Sequence, residues 1–190
     1  MTRYRDSGKR LLDLAISGLG ALLSAPLVAA AAVAVWLEDA GNPLFRQTRS
    51  GQHGEPFTIV KLRTMPEHTD EIESGRAELL ALTRVGRLLR RTNVDELPQL
   101  WNVAKGDMSL VGPRPALPAQ QTLLQLRRET GAAAAKPGLT GLAQVNSYNG
   151  MPDEEKAKWD AEYVKNITLW GDVRIIARTC LYIFKPPPRY

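Results

Sequence analysis

In TNVDELPQLWN, residues 92–102, two carboxylates stand side by side as Asp95 and Glu96, just ahead of Pro98. Adjacent carboxylates repel, and a chain that needed only a helix start would manage with one. Cations surround the pair in sequence. Arg90 and Arg91 come just before it, and Arg114 follows, held between Pro113 and Pro115 on a stiff backbone. Such a backbone suits a guanidinium that must meet phosphate in a fixed pose. Lys61 and Arg63 alternate along a predicted strand with Phe57 and Ile59, so all four share one face, and two cations at that spacing can grip one anion. Two carboxylates can also share a magnesium ion that carries part of a diphosphate. With Lys61, Arg63, Arg90 and Arg114 balancing the remaining charge, the set suits phosphoryl chemistry on a dianionic or trianionic substrate.

The elements that must position these residues follow from local signals. Proline is tolerated only in the first helical turn, so the helix containing LPQLWNVAK is predicted to begin at or after Asp95 and to stop at Gly106. That makes Asp95 a natural N-cap and keeps it ionised, with Glu96 opening the first turn. The plain alternative is an Asp cap with a helix-friendly Glu beside it; the neighbouring cations and prolines weigh against it. GNPLFRQTRSGQHGEPFTIVKLRTM reads as a β-hairpin turning at Ser50-Gly51 and His53-Gly54. Residues 76–91 form an amphipathic helix with Leu79, Leu82, Val85 and Leu89 on one stripe and Arg84, Arg87, Arg90 and Arg91 elsewhere. It can lie on a membrane surface or simply cover the core. LPAQQTLLQLRRET and PDEEKAKWDAEYVKN are further helices, separated by the turn-rich KPGLTGLAQVN. In the last helix, GDVRIIARTCLYIFK, Val173, Ile176, Cys180 and Phe184 recur at helical spacing, which predicts a buried Cys180.

With 190 residues the chain has room for one domain with a real core. Its 25 basic and 20 acidic residues, a net charge of +5, suggest an anionic partner. The single cysteine excludes an internal disulfide, and two histidines with one cysteine leave little for zinc. Nucleic acid is not expected, because no aromatic platform is interleaved with the basic residues. One strongly apolar segment, without a charge from Leu14 to Leu37, follows Arg3, Arg5, Lys9 and Arg10. It is open to three readings: a signal peptide, a straight membrane span, or a helix that bends at Ser24-Ala25-Pro26 and returns to the side it entered from. Arg46, Arg49, Lys61 and Arg63 beyond the segment favour keeping both ends in the cytoplasm.

Over nearly its whole length the chain resembles the bacterial sugar transferases, the small monotopic phosphoglycosyl transferases. The likeness rests on Asp13 before the Pro-containing apolar helix, on PLFRQTRSGQHGEPFTIVKLRTM, and on RRTNVDELPQLWNVAKGDMSLVGPRP. KPGLTGLAQVN and WDAEYVKNITLWGDVRII complete it. The resemblance implies an α/β fold, mostly helical with a short β-hairpin. Residues 1–40 would be a re-entrant membrane helix-break-helix in one leaflet. Residues 41–190 would be a small catalytic domain with amphipathic interfacial helices, on the cytoplasmic face of the bacterial inner membrane. It further implies transfer of a sugar 1-phosphate from a nucleoside diphosphate sugar, usually a UDP-sugar, to undecaprenyl phosphate. UMP is released, magnesium is the cofactor, and the phosphosugar is held covalently on the way. Asp95 is then the nucleophile, and Glu96 a magnesium ligand or an activator of the lipid phosphate. Lys61, Arg63, Arg90, Pro113 and Arg114 hold phosphate, and Ser24 and Pro26 make the membrane break. A catalytically silent scaffold of the same fold is the alternative. The family usually breaks this helix at Ser-Pro, whereas here Ala25 separates Ser24 from Pro26. Before Pro137-Gly138, where arginine or an aromatic residue is common, this chain has Lys136.

Overall fold

The computed structural model describes residues 4–66, 82–147 and 151–182. After a short π-helical turn at Tyr4–Gly8 comes α1, Lys9–Asp39, an unbroken helix of 31 residues. At 1.5 Å per residue it is about 46 Å long. Its mean hydropathy and length are sufficient to cross a membrane. The side it turns to the rest of the chain is narrow and built from small or polar residues, with Asp13, Ser17, Ala31 and Val35 buried. Outward it shows Leu11, Leu19, Leu22, Leu23, Leu27, Val33 and Leu37, each more than half exposed. That inverts the pattern of a helix solvated by water. Pro26 lies inside the helix, so the break expected at Ser24-Ala25-Pro26 does not divide it. Proline removes one backbone donor, and the Ser24 hydroxyl bonds back to the Ala21 carbonyl at 3.4 Å; the ladder continues on both sides.

Both ends of α1 are fastened to the same body. Near its start, Asp13 accepts from Ser109 Oγ at 2.8 Å and from the Leu110 backbone N–H at 3.0 Å. Arg10 donates to the carbonyls of Val103 and Ala104. Tyr4 and Lys9 both reach the buried Asp172. At the other end Asp39 pairs with Arg63. Glu38 accepts the backbone N–H groups of Arg84 and Val85.

The hairpin forms as the sequence predicts. Strand β1, Leu44–Ser50, pairs antiparallel with β2, Pro56–Leu62, in the register Leu44 to Leu62 and Ser50 to Pro56. His53 and Gly54 supply the positive φ of the turn. Next comes α2, Arg84–Thr92, capped by the Thr83 hydroxyl, which accepts from the Gly86 N–H at 2.9 Å. The amphipathic helix thus starts later than its hydrophobic stripe predicts: Leu82 precedes it, and residues 76–81 lie outside the described residues. Gly86 is pressed on the chain after β2; a Cβ there would sit 2.1 Å from the Thr64 carbonyl oxygen.

The remaining elements are α3, Gln99–Lys105; β3, Ser109–Val111; α4, Gln121–Glu129; β4, Gly138–Thr140; α5, Leu142–Asn146; α6, Asp153–Lys165; and α7, Leu169–Tyr182. Gly106, at φ 102°, ends α3 where the sequence places the stop. Strands β3 and β4 pair in parallel through the α4 crossover. The main core gathers Ile59, Leu100, Val103, Met108, Val111 and Val145 against Tyr163 and Ile175. The last helix departs from its apolar spacing. Its buried residues are Asp172 and Ile175, while Val173 is 40% exposed and Cys180 is exposed, not buried. Asp172 accepts Tyr4, Lys9 and Tyr163, so this polar side turns inward. Phe184 lies outside the described residues.

Candidate active site

Four segments bring the predicted residues together. Helix α2 ends at Asn93, which takes the left-handed conformation at φ 55° and reverses the chain. Val94–Glu96 then form a single 3-10 turn, and α3 starts only at Gln99 with Pro98 at its cap position. Asp95 is therefore not an N-cap. It sits inside the turn between two helices, where it is 7% exposed.

The two carboxylates have opposite environments. Glu96 Oε1 accepts from Lys61 Nζ at 2.8 Å and from Arg114 Nη2 at 2.9 Å. Burial alone would raise its pKa. The charges of Arg114 and Lys61, with their hydrogen bonds, outweigh that and hold it well below the usual carboxylate range. Asp95 accepts no side-chain hydrogen bond among the described residues. Burial and the Glu96 charge push its pKa up to about 6, against the opposing pull of Lys61, Arg90 and Arg114. At neutral pH it is ionised, as expected, but for a different reason: the cations limit a rise caused by burial. Burial also lowers the Lys61 pKa, partly offset by Glu96.

Arg90 donates Nε to Thr64 Oγ1 at 3.0 Å, which anchors it beside the turn. Arg63 does not join the group. It lies one residue past β2 and is committed to Asp39 and to the Asn42 carbonyl. The expectation that Lys61 and Arg63 grip one anion together fails, because the strand ends between them and the carboxylate of α1 captures Arg63. Ser24 and Pro26 lie on α1 and belong to no part of this cluster.

The Pro113-Arg114-Pro115 segment is clamped from several sides. Gly138 donates to the Pro113 carbonyl at 2.8 Å, and Arg49 to that of Pro115 at 3.2 Å. Arg127 donates Nη1 to the Arg114 carbonyl at 2.9 Å while its own guanidinium is paired with buried Asp160. Two glycines allow the close crossing: a Cβ on Gly112 would lie 2.3 Å from the Lys136 carbonyl oxygen, and one on Gly138 2.1 Å from the Gly112 nitrogen. Sequence reasoning missed the Arg127–Asp160 pair. The one signal was an Asp and an Arg at buried positions of two amphipathic helices, which reads as ordinary solvated charge. Gln99, whose buried Nε2 has no partner among the described residues, likewise gives no signal in the sequence.

No group of three His, Cys, Asp or Glu able to hold a metal exists among the described residues. A pair is still what a magnesium ion requires where substrate phosphates and waters complete its shell. Asp95 accepts no side-chain hydrogen bond among the described residues, and the hydrogen bonds from Lys61 and Arg114 both go to Oε1 of Glu96, so the residues fit that arrangement.

A model for bacterial sugar transferases matches residues 4–186. The chain belongs to the bacterial sugar transferase family. Among its relatives, a UDP-glucose:undecaprenyl-phosphate glucose-1-phosphate transferase of Caulobacter vibrioides is 45% identical over 183 residues, covering 92% of this chain and 68% of that protein. The "uncharacterized sugar transferase EpsL" of Bacillus subtilis is 40% identical, covering 90% of this chain and 84% of that one. An undecaprenyl-phosphate galactose phosphotransferase of Salmonella typhimurium is 34% identical; the match takes in 96% of this sugar transferase but only 41% of the longer protein.

Proposed function

We propose that this sugar transferase moves a sugar 1-phosphate from a nucleoside diphosphate sugar, a UDP-hexose, to undecaprenyl phosphate, with Asp95 as a covalent nucleophile. One observation carries the reading: a buried carboxylate with no side-chain hydrogen-bond donor among the described residues, beside a second carboxylate neutralised by Lys61 and Arg114. A scaffold would gain stability by discarding Asp95; a nucleophile has to keep its lone pairs free. The relatives' names support the donor and the lipid acceptor.

In this reading the Asp95 carboxylate attacks the sugar-bearing phosphorus of the donor. A P–O bond forms to Asp95, the bond to the bridging oxygen breaks, and UMP leaves with that electron pair. The undecaprenyl phosphate oxygen then attacks the same phosphorus, expelling the Asp95 carboxylate and yielding the polyprenyl diphosphosugar. Water-soluble donor and lipid acceptor thereby use one site in turn. Arg114, fixed by its prolines and by Arg127, orients the phosphate, and Lys61 and Arg90 hold positive charge around it. Asp95 and Glu96 would hold magnesium, which offsets the repulsion between carboxylate and diphosphate when bound.

Residues 1–40 serve as the membrane segment in one leaflet, and residues 41–190 carry the site on the cytoplasmic face of the inner membrane. Support comes from the packing of α1. A helix crossing the bilayer would draw α2 into hydrocarbon, because Ala31 and Val35 pack with Leu62 and Leu89. Helix α2 carries Arg84, Arg87, Arg90 and Arg91, whose burial in lipid is costly.

The test is UMP release by the detergent-purified protein with magnesium, across a panel of UDP-sugars, with and without undecaprenyl phosphate. Turnover requiring both one donor and the lipid is expected. Near-normal turnover by Asp95→Asn would overturn the covalent route.

A further inference from the structure

A cavity of ≈ 370 Å³ opens at the base of α1, away from Asp95, with Arg5, Lys9, Arg10, Asp13 and Lys136 in its wall. Its charges do not balance. The Asp13 carboxylate is consumed by Ser109 and Leu110, and Lys9 is matched by Asp172. Arg10 spends its guanidinium on the carbonyls of Val103 and Ala104, which offer partial charge only. Arg5 and Lys136 have no hydrogen-bond or ion-pair partner among the described residues.

Two of these cations converge. Arg10 Nη2 and Lys136 Nζ lie 3.2 and 3.6 Å from the point where a side-chain carbon on Gly106 would sit. Gly106 leaves that gap open, and its φ of 102° disfavours any other residue. The nearest carboxylate in sequence, Asp107, is engaged by Lys105 and Asn102. Like charges held this close repel unless an anion joins them. A phosphate oxygen, accepting from a guanidinium and an ammonium together, fits both the charge and the donors.

With α1 as the membrane segment of the proposed function, on which this step rests, the cavity stands at the level of lipid phosphates. Leu11 and Leu14, each one residue from the cavity-lining Arg10 and Asp13, are 67% and 41% exposed, so the outward apolar side of α1 begins beside the cavity. An acyl chain can follow those leucines while its headgroup enters the cavity. We propose that this cavity is a second phosphate site that takes the headgroup phosphate of an anionic membrane lipid through Arg10, Lys136 and Arg5. It goes beyond the transfer reaction and holds whether or not Asp95 does chemistry.

The experiment titrates full-length protein in neutral detergent with dioleoyl phosphatidylglycerol, dioleoyl phosphatidylcholine or inorganic phosphate, reading binding by calorimetry. Saturable phosphatidylglycerol binding is expected, weakened about tenfold by Lys136→Ala and further by adding Arg5→Ala. Neither residue supports the fold through a partner, so thermal unfolding should not change. Arg114→Ala, at the other site, should leave this affinity unaltered. Equal binding by wild type and the double variant, or dependence on Arg114 instead, overturns the site. Binding of inorganic phosphate that needs Arg5 and Lys136, with no gain from the lipid, overturns the lipid as its source.

Discussion

Arg127 and Asp160 form a buried ion pair 2.7 Å apart, and the same guanidinium holds the backbone carbonyl of Arg114. Burial raises the Asp160 pKa; the charge and hydrogen bond of Arg127 oppose it most, with a lesser contribution from Lys156. Removing the cation with Arg127→Leu leaves a buried carboxylate unpaired, a loss of about 3–5 kcal/mol. For a chain of this size the Tm should drop by roughly 6–20 °C. Turnover should fall as well, since Arg114 loses its backbone anchor. The Arg127→Leu/Asp160→Leu double variant should regain part of the Tm but not the turnover. Recovery of both would reduce the pair to a packing role.

Asp95 sets the acid limit of activity. Its pKa of about 6 predicts that kcat/KM for UMP release rises as pH increases through 6 and levels off above it. The Glu96 charge is one of the two causes of that elevation, so Glu96→Gln should move the limb to lower pH, whatever it does to the plateau. A limb that stays at 6 in this variant would assign the titration to another group.

The same elevation carries a stability consequence. The folded pKa lies above the ordinary value of 3.8, so the folded state holds the Asp95 proton more tightly than the unfolded state does. Ionised Asp95 thus costs stability at neutral pH, on the order of 3 kcal/mol. The penalty is relieved as pH falls from 6 toward 3.8. Asp95→Asn should unfold at a higher temperature than wild type at pH 7.5, and the gap should close near pH 4. A lower Tm at pH 7.5 would show that the carboxylate has stabilising partners in solution.

Local chemistry made part of this legible in the sequence. His53-Gly54 announces the turn of the hairpin, and Gly106 the end of α3, because each takes a positive φ that few residues adopt. Asp95 reads as a cap in the sequence because nothing local reveals that Asn93 turns left-handed and that Val94–Glu96 wind separately. Arg63 follows the strand alternation on paper, yet the strand stops at Leu62 and Asp39 is closer. Strands β3 and β4 have three residues each, too few for any periodicity to show. In α7 the apolar stripe misled because that helix buries Asp172 and leaves Val173, Cys180 and Leu181 outside. At Arg63 and in α7 a tertiary partner, Asp39 or the groups gathered on Asp172, overrides a local pattern.

The placement of α1 yields the last prediction. Asp13, Arg10 and Lys9 fasten its start, and Glu38 and Asp39 its end, to one polar body. Separating those ends across a bilayer would break the Asp39–Arg63 pair and the Glu38 contacts with α2, or strip the Asp13 contacts with β3. Both ends should therefore stay on one side. Exposed Cys180 must first be replaced by serine, since it would react with any label. Single cysteines placed at Ser7 and at Asn42, both exposed, should then show the same reactivity to a membrane-impermeant maleimide in intact spheroplasts. Both should be silent there and labelled after lysis. One silent and one labelled position in intact spheroplasts would establish a span, and α1 would have to release one of its two anchorages to make it.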